Sequence, residues 1–506
     1  MNSIPSEILT QIFEHLQSSS PLHQWQEVSL SNRKWPPPND LAALSTVCRR
    51  FHHAVEPLLF SQVALSSEDP RDEKLVEPFL RRLYRKPSPR LAVRNLFLDA
   101  WDVNFDIAGV VRERLAAGTN DLGRRQEKWL RAWLSMPKQK IFEPIPCVSL
   151  FLTPRLRLLD LGTPVWPDWI AIYISGNRHL EEKVFADTDG DLSDSTGQRP
   201  TEVVLPTLLS DSPLPELTEV RCRYVLPNSL QSARRIEPLF LHPGLETLRL
   251  FAFSWEGGLK WNDQTSNLQA IELNTCYVDA EGLENILRRC RHLRHLSIEL
   301  PNYDRITDGG EALISLVAMG DVFRSLGHNL ETFKLDAKAY GEFFNPIRPF
   351  GSVQEMTSLR NFKICVGDFR DIESGEYDEE EERRRWTVPL KGVLPQGLES
   401  FYVIRSPGMI PLKDVEILGA LRDILEDQSL TSLRRVELEL SGEETFDEGD
   451  YVVPGWQVSA GRHKVPKDPY KDKFQDPVID EDDEPDERET IIFQRADGPQ
   501  QPGAAP

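Results

Sequence analysis

One spacing recurs along this chain of 506 residues: an apolar residue, two free positions, an apolar residue, one free position, an apolar residue. It is carried by Val93, Leu96 and Leu98; Leu156, Leu159 and Leu161; Leu217, Val220 and Cys222; Leu245, Leu248 and Leu250; and Leu268, Ile271 and Leu273. It continues through Leu293, Leu296 and Ile298; Leu330, Phe333 and Leu335; Leu359, Phe362 and Ile364; Leu398, Phe401 and Val403; and Leu433, Val436 and Leu438. The last two apolar residues of each triplet lie two apart, so both point to one face of a short strand, and the first fills the turn before it. Between triplets the sequence turns helical, as in Glu281–Cys290, where Gly282, Leu283, Ile286 and Leu287 supply an inner face. Strand followed by helix, many times over, is an α/β chain in which no single copy can bury its own apolar face. Each copy must stack on its neighbours.

This spacing resembles the leading half of a leucine-rich repeat. The resemblance implies an irregular, curved solenoid over residues 91–440. From 217 to 293 the starting positions step by 28, 23 and 25, inside the usual range of roughly 20–29. Earlier steps near sixty predict a degenerate or missed repeat in each gap, and later steps of 37, 29, 39 and 35 predict longer helices or inserted loops. Only the triplet at Leu268 keeps the later cysteine of such repeats, at Cys276. In a solenoid of this kind the strand residues between the apolar positions line the concave face. Here Arg221, Arg249, Phe251, Glu272, His295, Lys334, Lys363 and Tyr402 become candidates for holding a protein target, since mixed aromatic and charged side chains suit protein recognition.

The first sixty residues follow a different rule. Ile8, Leu9, Ile12, Phe13 and Leu16 mark one wide helical face, with Pro5 suited to a first helical position and Glu7 in the first turn. Asn39 or Asp40 can cap a second stretch whose face is Leu41, Leu44, Val47, Cys48 and Phe51, and Pro57 is expected to end a third. Three short helices bury too little to stand alone. The run Ile4-Pro5-x-Glu7-Ile8-Leu9-x-x-Ile12-Phe13-x-x-Leu16, then Asp40-Leu41-x-x-Leu44-x-x-Val47-Cys48-Arg49-Arg50-Phe51, then Pro57-Leu58-Leu59-Phe60, resembles an F-box over residues 1–60. Proteins of that family dock on the adaptor subunit of a cullin–RING ubiquitin ligase. The resemblance implies an adaptor-binding surface made by Ile4, Pro5, Ile8, Leu9, Ile12, Phe13, Leu41, Leu44, Val47, Cys48, Phe51, Pro57 and Leu58.

Residues 17–39 replace the short link usual between the first two F-box helices. The segment is polar, with Trp25, Trp35 and Pro36-Pro37-Pro38, and the prolines favour an extended loop. Such a loop either projects outward and leaves docking intact, or masks or extends the docking surface. Residues 61–90 read as a connector with a helix around Glu77–Tyr84, ended by Pro87 and Pro89. Beyond 440 the apolar spacing fades and Pro, Asp, Glu and Lys dominate, so 441–506 is expected to be a mostly disordered acidic tail. Within it Tyr451–Trp456 is the one stretch fit to dock as a last strand or cap. A second acidic insertion, Asp371–Arg385, reads as a solvated loop or helix.

Composition narrows the partners. The formal charge is 59 − 80 = −21, a sign that repels phosphate backbones and anionic lipid, so neither nucleic acid nor membrane is an expected partner. No run is long and apolar enough to span a bilayer, and the N-terminus lacks the basic, apolar, small-residue order of a signal peptide. Six scattered cysteines with no CxxC pair read as reduced thiols of a cytosolic or nuclear protein. Phosphate-loop, dinucleotide, zinc-protease and nucleophile-elbow motifs are absent. Asp187–Asp194 fails the EF-hand pattern, with Gly190 fourth rather than sixth and Gln198 at the closing position. Cys290, His292 and His295 are close in sequence, but strand and helix geometry separates them, so no metal and no cofactor is expected. The reading is a non-catalytic specificity subunit of a ubiquitin ligase that binds the adaptor at one end and an unidentified protein target at the other. The alternative is an adaptor-bound structural or assembly factor acting outside a ligase.

Overall fold

Each of the ten apolar triplets closes on a strand in the computed structural model, which describes residues 5–14, 39–66, 70–85, 87–99, 109, 111–112, 115, 124–135, 144–163, 168–186, 212–224, 230–255, 265–301, 314–336, 350–365, 392–404, 421–422, 424–439, 452–464 and 487–495. The chain forms two compact units. The first takes in residues 1–226, 234–249 and 468–474, and the second 227–233, 250–467 and 475–506.

The first unit begins with helices α1 (Ser6–Glu14), α2 (Asn39–Val47) and α3 (Arg49–Ser61). The break between α2 and α3 falls on Cys48, whose extended backbone (φ −161°, ψ 162°) makes it the cap of α3, with Sγ accepting from the Phe51 N–H at 3.5 Å. Pro57 was expected to end a helix. Instead α3 runs through it to Ser61, with Pro57 on the exposed side. Strand β1 (Gln62–Ser66) follows, then α4 (Pro70–Arg85), α5 (Pro87–Ala92) and β2 (Asn95–Asp99). Pro87 therefore opens a helix rather than closing one, as suits a residue with fixed φ and no N–H to satisfy.

Helices α6 (Arg124–Ser135) and α7 (Pro144–Leu152) precede β3 (Leu158–Thr163); α8 (Asp168–Ser175) and α9 (Arg178–Ala186) precede β4 (Glu219–Tyr224). β1, β2, β3 and β4 pair in that order, all parallel. Asn95 of β2 pairs with Leu158 of β3, and Leu158 with Glu219 of β4, so these neighbours lie some sixty residues apart, and among the described residues the long gaps hold helices. Among the described residues no strand of an expected intervening repeat appears in these gaps, since β2 pairs directly with β3 and β3 with β4. Val63, Leu96, Leu159 and Val220 share one register row, and Leu65, Leu98, Leu161 and Cys222 the next. Against the helical side Trp129, Phe151, Trp169 and Tyr173 cluster with ring centroids 4.8–6.4 Å apart. Arg125 of α6 ties this layer down, donating to the Gly176 carbonyl at 2.8 Å and pairing with Glu181 of α9.

His242, which ends a short 3-10 turn over Glu237–Leu241, is buried in this unit. Its Nδ1 accepts from the Gly244 N–H at 3.2 Å, so the ring proton sits on Nε2, facing the Leu214 carbonyl at 3.1 Å and Ser212 Oγ at 3.0 Å. Burial pushes its pKa down from 6.5 to about 4. A histidine held neutral contributes stability above its unfolded pKa and loses it as pH falls toward its folded pKa, here on the order of 3 kcal/mol between the two limits. The expected outcome is a thermal midpoint that falls more steeply from about pH 6.5 to about pH 5 in the wild type than in His242→Gln, which keeps a donor and an acceptor but does not titrate. Equal slopes would remove His242 as the cause.

In the second unit β5 (Thr247–Phe251), which straddles the boundary, is followed by β6 (Ala270–Asn274), helix α10 (Ala280–Arg289), β7 (His295–Glu299), helix α11 (Leu316–Leu326), β8 (Thr332–Asp336), β9 (Asn361–Cys365), β10 (Ser400–Ile404) and β11 (Arg435–Glu439). β6 through β11 pair in sequence order, all parallel and without slip. One register row is Ile271, Leu296, Phe333, Phe362, Phe401 and Val436. Its phenylalanine rings stack 5.9–6.1 Å apart. The helices close this side: Asp279 caps α10 and Ser315 caps α11. Gly320 lets α11 press against the Phe350 carbonyl, where any Cβ would collide. Short strands Gln231–Ser232, Phe253–Trp255 and Tyr277–Val278 form a second, parallel sheet. The turns entering the latter two place Ala252 (φ 61°) and Thr275 (φ 52°) in the left-handed region. Cys276 bridges these turns, its Sγ accepting from the Phe253 N–H at 3.4 Å and lying 3.6 Å from the Leu250 carbonyl.

At the entry to the strands, Arg294, Glu331, Arg360, Glu399 and Arg434 follow one another, each N–H bonded to the carbonyl of the one before at 2.8–2.9 Å. Their charges alternate, with Arg294 to Glu331 at 3.6 Å and Arg360 to Glu399 at 3.9 Å. Exposed pairs of this sort add little stability. Their alternation does penalise a stack that skips a strand, which would set Arg294 beside Arg360 or Glu331 beside Glu399.

The expectation of a mostly disordered tail is corrected at two places. β12 (Trp456–Lys464) and β13 (Glu487–Arg495) form an antiparallel pair, and β13 also pairs antiparallel with β11. Phe493 falls opposite Val436 and Ile491 opposite Leu438, both buried, so the tail extends the two apolar rows of the sheet. Trp456 is also buried, its indole N–H donating to the Leu425 carbonyl at 3.0 Å. Residues 17–38, 187–194 and 371–385 lie outside the described residues.

Candidate functional site

The face of α1 is wider than its module can bury. Leu9 and Phe13 turn inward with Leu41, Ala54 and Val55 to make the module's core, and Leu44, Phe51, Leu58 and Leu59 pack around it. Phe13 and Phe51 meet edge to face at 5.2 Å. Residues one position earlier in a helix point about 100° away. Ile8 and Ile12 therefore form a parallel apolar stripe on the outside, 43% and 48% exposed, and Val47 at the end of α2 is 64% exposed.

Of the thirteen residues the resemblance offered for docking, Leu9, Phe13 and Leu41 are corrected to core positions, since a side chain already filling the module has no surface to give. Leu44, Phe51 and Leu58 are half-buried against that core. Pro5, Ile8, Ile12, Val47, Cys48 and Pro57 are exposed, and Ile4 lies outside the described residues. The module continues into α4 through an ion pair between Arg82 and the buried Glu56.

The eight candidate target residues fall into separate groups. Arg221 is 3% exposed, with Nε on Glu219 at 2.7 Å and Nη1 4.0 Å from Asp160, itself buried and accepting from Arg223 at 2.9 Å. It belongs to an interior ion network, and its assignment to an open sheet face is corrected. The alternation of β4 did point it away from the leucine side, but in this unit the opposite face is covered as well: its register partners Phe97 and Asp160 are fully buried. Arg249 shares Glu219, at 2.9 Å.

In the second unit, Glu272, Lys334, Lys363 and Tyr402 do fall in one register row with Ser297 and Glu437. Lys334 is exposed, the others half-buried. Lys363 Nζ lies 4.5 Å over the Tyr402 ring, a cation–π contact. Burial raises the Tyr402 pKa, with Glu439, Glu437 and Asp336 adding to it and a hydrogen bond from the Thr490 side chain opposing. His295 is exposed one row toward the strand start, and Phe251 is half-buried. The role of Thr490 could not be read in advance, because it comes from the tail strand.

Reactive chemistry finds little support in these surroundings. Burial pushes the Cys276 and Cys290 thiols up to about 12, away from the thiolate that a nucleophile or metal ligand needs. His292 and His295 are exposed while Cys290 is buried. Among the described residues no group of His, Cys, Asp and Glu is arranged to hold a metal ion, and no helix is long and apolar enough to cross a membrane.

Compared with known proteins, no curated protein matches the chain. Residues 1–66 match the family model of the F-box-like domain. That span ends where β1 ends, and it encloses α1, α2 and α3 with their core of Leu9, Phe13, Leu41, Ala54 and Val55. The chain carries an F-box-like domain in residues 1–66.

Proposed function

We propose that the protein is a substrate-recognition subunit of a cullin–RING ubiquitin ligase. The observation that carries this reading is the F-box-like domain itself, a domain type that suggests binding to the ligase adaptor. The exposed Ile8, Ile12 and Val47 are the side chains offered to that adaptor, because apolar surface left open on a small helical module fits an interface. The parallel strands of the second unit are read as leucine-rich-repeat-like, and the row from Glu272 to Glu437 as the surface for a target protein. The subunit itself performs no chemistry. It raises the effective concentration of target lysines at the ligase, which places its work in the cytosol or nucleus. Purifying the tagged full-length chain from its own cells and probing for adaptor and cullin tests this. Recovery of both supports the ligase reading. Adaptor without cullin favours an assembly factor outside a ligase, and neither one rejects the proposal.

A further inference from the structure

We propose that a cleft of 440 Å³ in the second unit, between the ends of α10 and α11, binds an acidic peptide segment of a protein partner. Its lining includes Leu287, Cys290, Leu293 and Leu330 as a floor, with Thr265, Arg288, Arg291 and Asn329 at the rim. Among the described residues that line it there is no carboxylate. The chain as a whole carries a charge of −21, yet Arg288-Arg289-Cys290-Arg291-His292-Leu293-Arg294-His295 contains no acidic residue.

The charges of this run are not equally committed. Arg288 pairs with Glu284, Arg294 faces Glu331 at 3.6 Å, and Arg289 is buried. Arg291 is exposed, and its guanidinium makes no ion pair with a described residue. The cleft wall is braced: the Asn329 side-chain N–H donates to the Arg291 carbonyl at 3.2 Å. Terminal carbonyls of the two helices, which would repel an anion, are engaged: Arg289 accepts from the Ser266 N–H, Cys290 from the Leu293 N–H and Gly327 from the Leu330 N–H, each at 2.9 Å. What remains at the rim is donors and positive charge above an apolar floor. That chemistry takes an apolar side chain flanked by carboxylates, with the guanidinium forks binding the carboxylates. The site rests on the reading that the second unit holds a protein partner, and it differs from the row at Lys334 and Tyr402.

The test uses full-length protein and two fluorescein-labelled peptides, Gly-Asp-Leu-Glu-Asp-Gly and its uncharged isostere Gly-Asn-Leu-Gln-Asn-Gly, followed by anisotropy. The acidic peptide is expected to bind at least about tenfold more tightly than the isostere, and Arg291→Glu to lose about that factor. Arg291→Ala, which introduces no repulsion, is expected to lose a smaller part and serves if Arg291→Glu fails to fold. No binding of the acidic peptide, equal binding of the two peptides, or full binding by the Arg291 variants overturns the proposal. A chain carrying Ile8→Asp and Ile12→Asp should bind the peptide as the wild type does, so failure of adaptor docking and failure of this site are told apart.

Discussion

The double variant Ile8→Asp with Ile12→Asp is expected to abolish capture of the ligase adaptor and leave the far-ultraviolet circular dichroism of the chain unchanged. Both side chains are about half exposed and outside the module's core, so replacing them leaves that core intact. In the docked state each aspartate would sit in desolvated apolar surface without a partner, at a cost of several kcal/mol. Each ~1.4 kcal/mol is tenfold in affinity, so the pair should weaken capture by a factor of at least about a thousand. The choice of residues matters. Leu9→Asp or Leu41→Asp would also lose capture, but by unfolding the module around Val55, and would say nothing about the surface. Adaptor pulled down undiminished by the double variant would sink the docking assignment. Loss of helical signal would mean that α1 leans on something else through this stripe.

Phe493→Ala is expected to destabilise the second unit by about 3–5 kcal/mol, the range for emptying a buried phenylalanine site. The residue lies far beyond the last apolar triplet, yet it is 1% exposed and in register with Val436, in the row that holds Phe333, Phe362 and Phe401. Urea unfolding of the full-length chain, followed by tryptophan fluorescence, reads the effect. Trp456 lies on the paired strand against Leu425. Truncation before β12 should cost more, because it also removes Trp456 and Ile491. A change within about half a kcal/mol, the scale of an ordinary surface substitution, would refute the packing of the tail.

How much of this was legible in the sequence depends on whether a period or a contact carried it. The ten strands were legible because leucine at fixed spacing leaves few alternatives to a stacked parallel sheet. β1 was missed although Phe60, Val63 and Leu65 keep the same spacing, because Phe60 also closes the apolar run of the N-terminal helical module and was read with it. Of the tail strands, β12 was foreshadowed by Tyr451–Trp456, read as fit to dock as a last strand or cap, and β13 was missed for a reason of direction. β13 runs antiparallel, so its buried pair, Ile491 and Phe493, arrives without the apolar residue and two-residue spacer that precede the ten triplet strands. In the N-terminal module, the order of apolar residues revealed the domain. It could not say which half of the wide stripe on α1 turned inward, since that depends on where α3 lies. Arg221 shows the limit most plainly. Alternation assigned its side of the strand correctly, but whether that side meets solvent is decided by chain far away, as the burial of Phe97 and Asp160 in the same row shows.

The reversed closing strands also bear on self-association. A parallel sheet that ended on β11 would offer its last strand as a template for the next copy of the same chain, and head-to-tail addition could then run on without limit. β13 takes that place with opposite polarity, and β12 becomes the outermost strand among the described residues. Its last residues are Arg462, His463 and Lys464. Another copy approaching this edge would meet the outer strand of an antiparallel hairpin, with Arg462 and Lys464 near its end set across from Glu489 and Glu487. The hairpin thus removes the parallel edge that head-to-tail addition would need, and does so from a segment whose composition reads as mere solubilising tail.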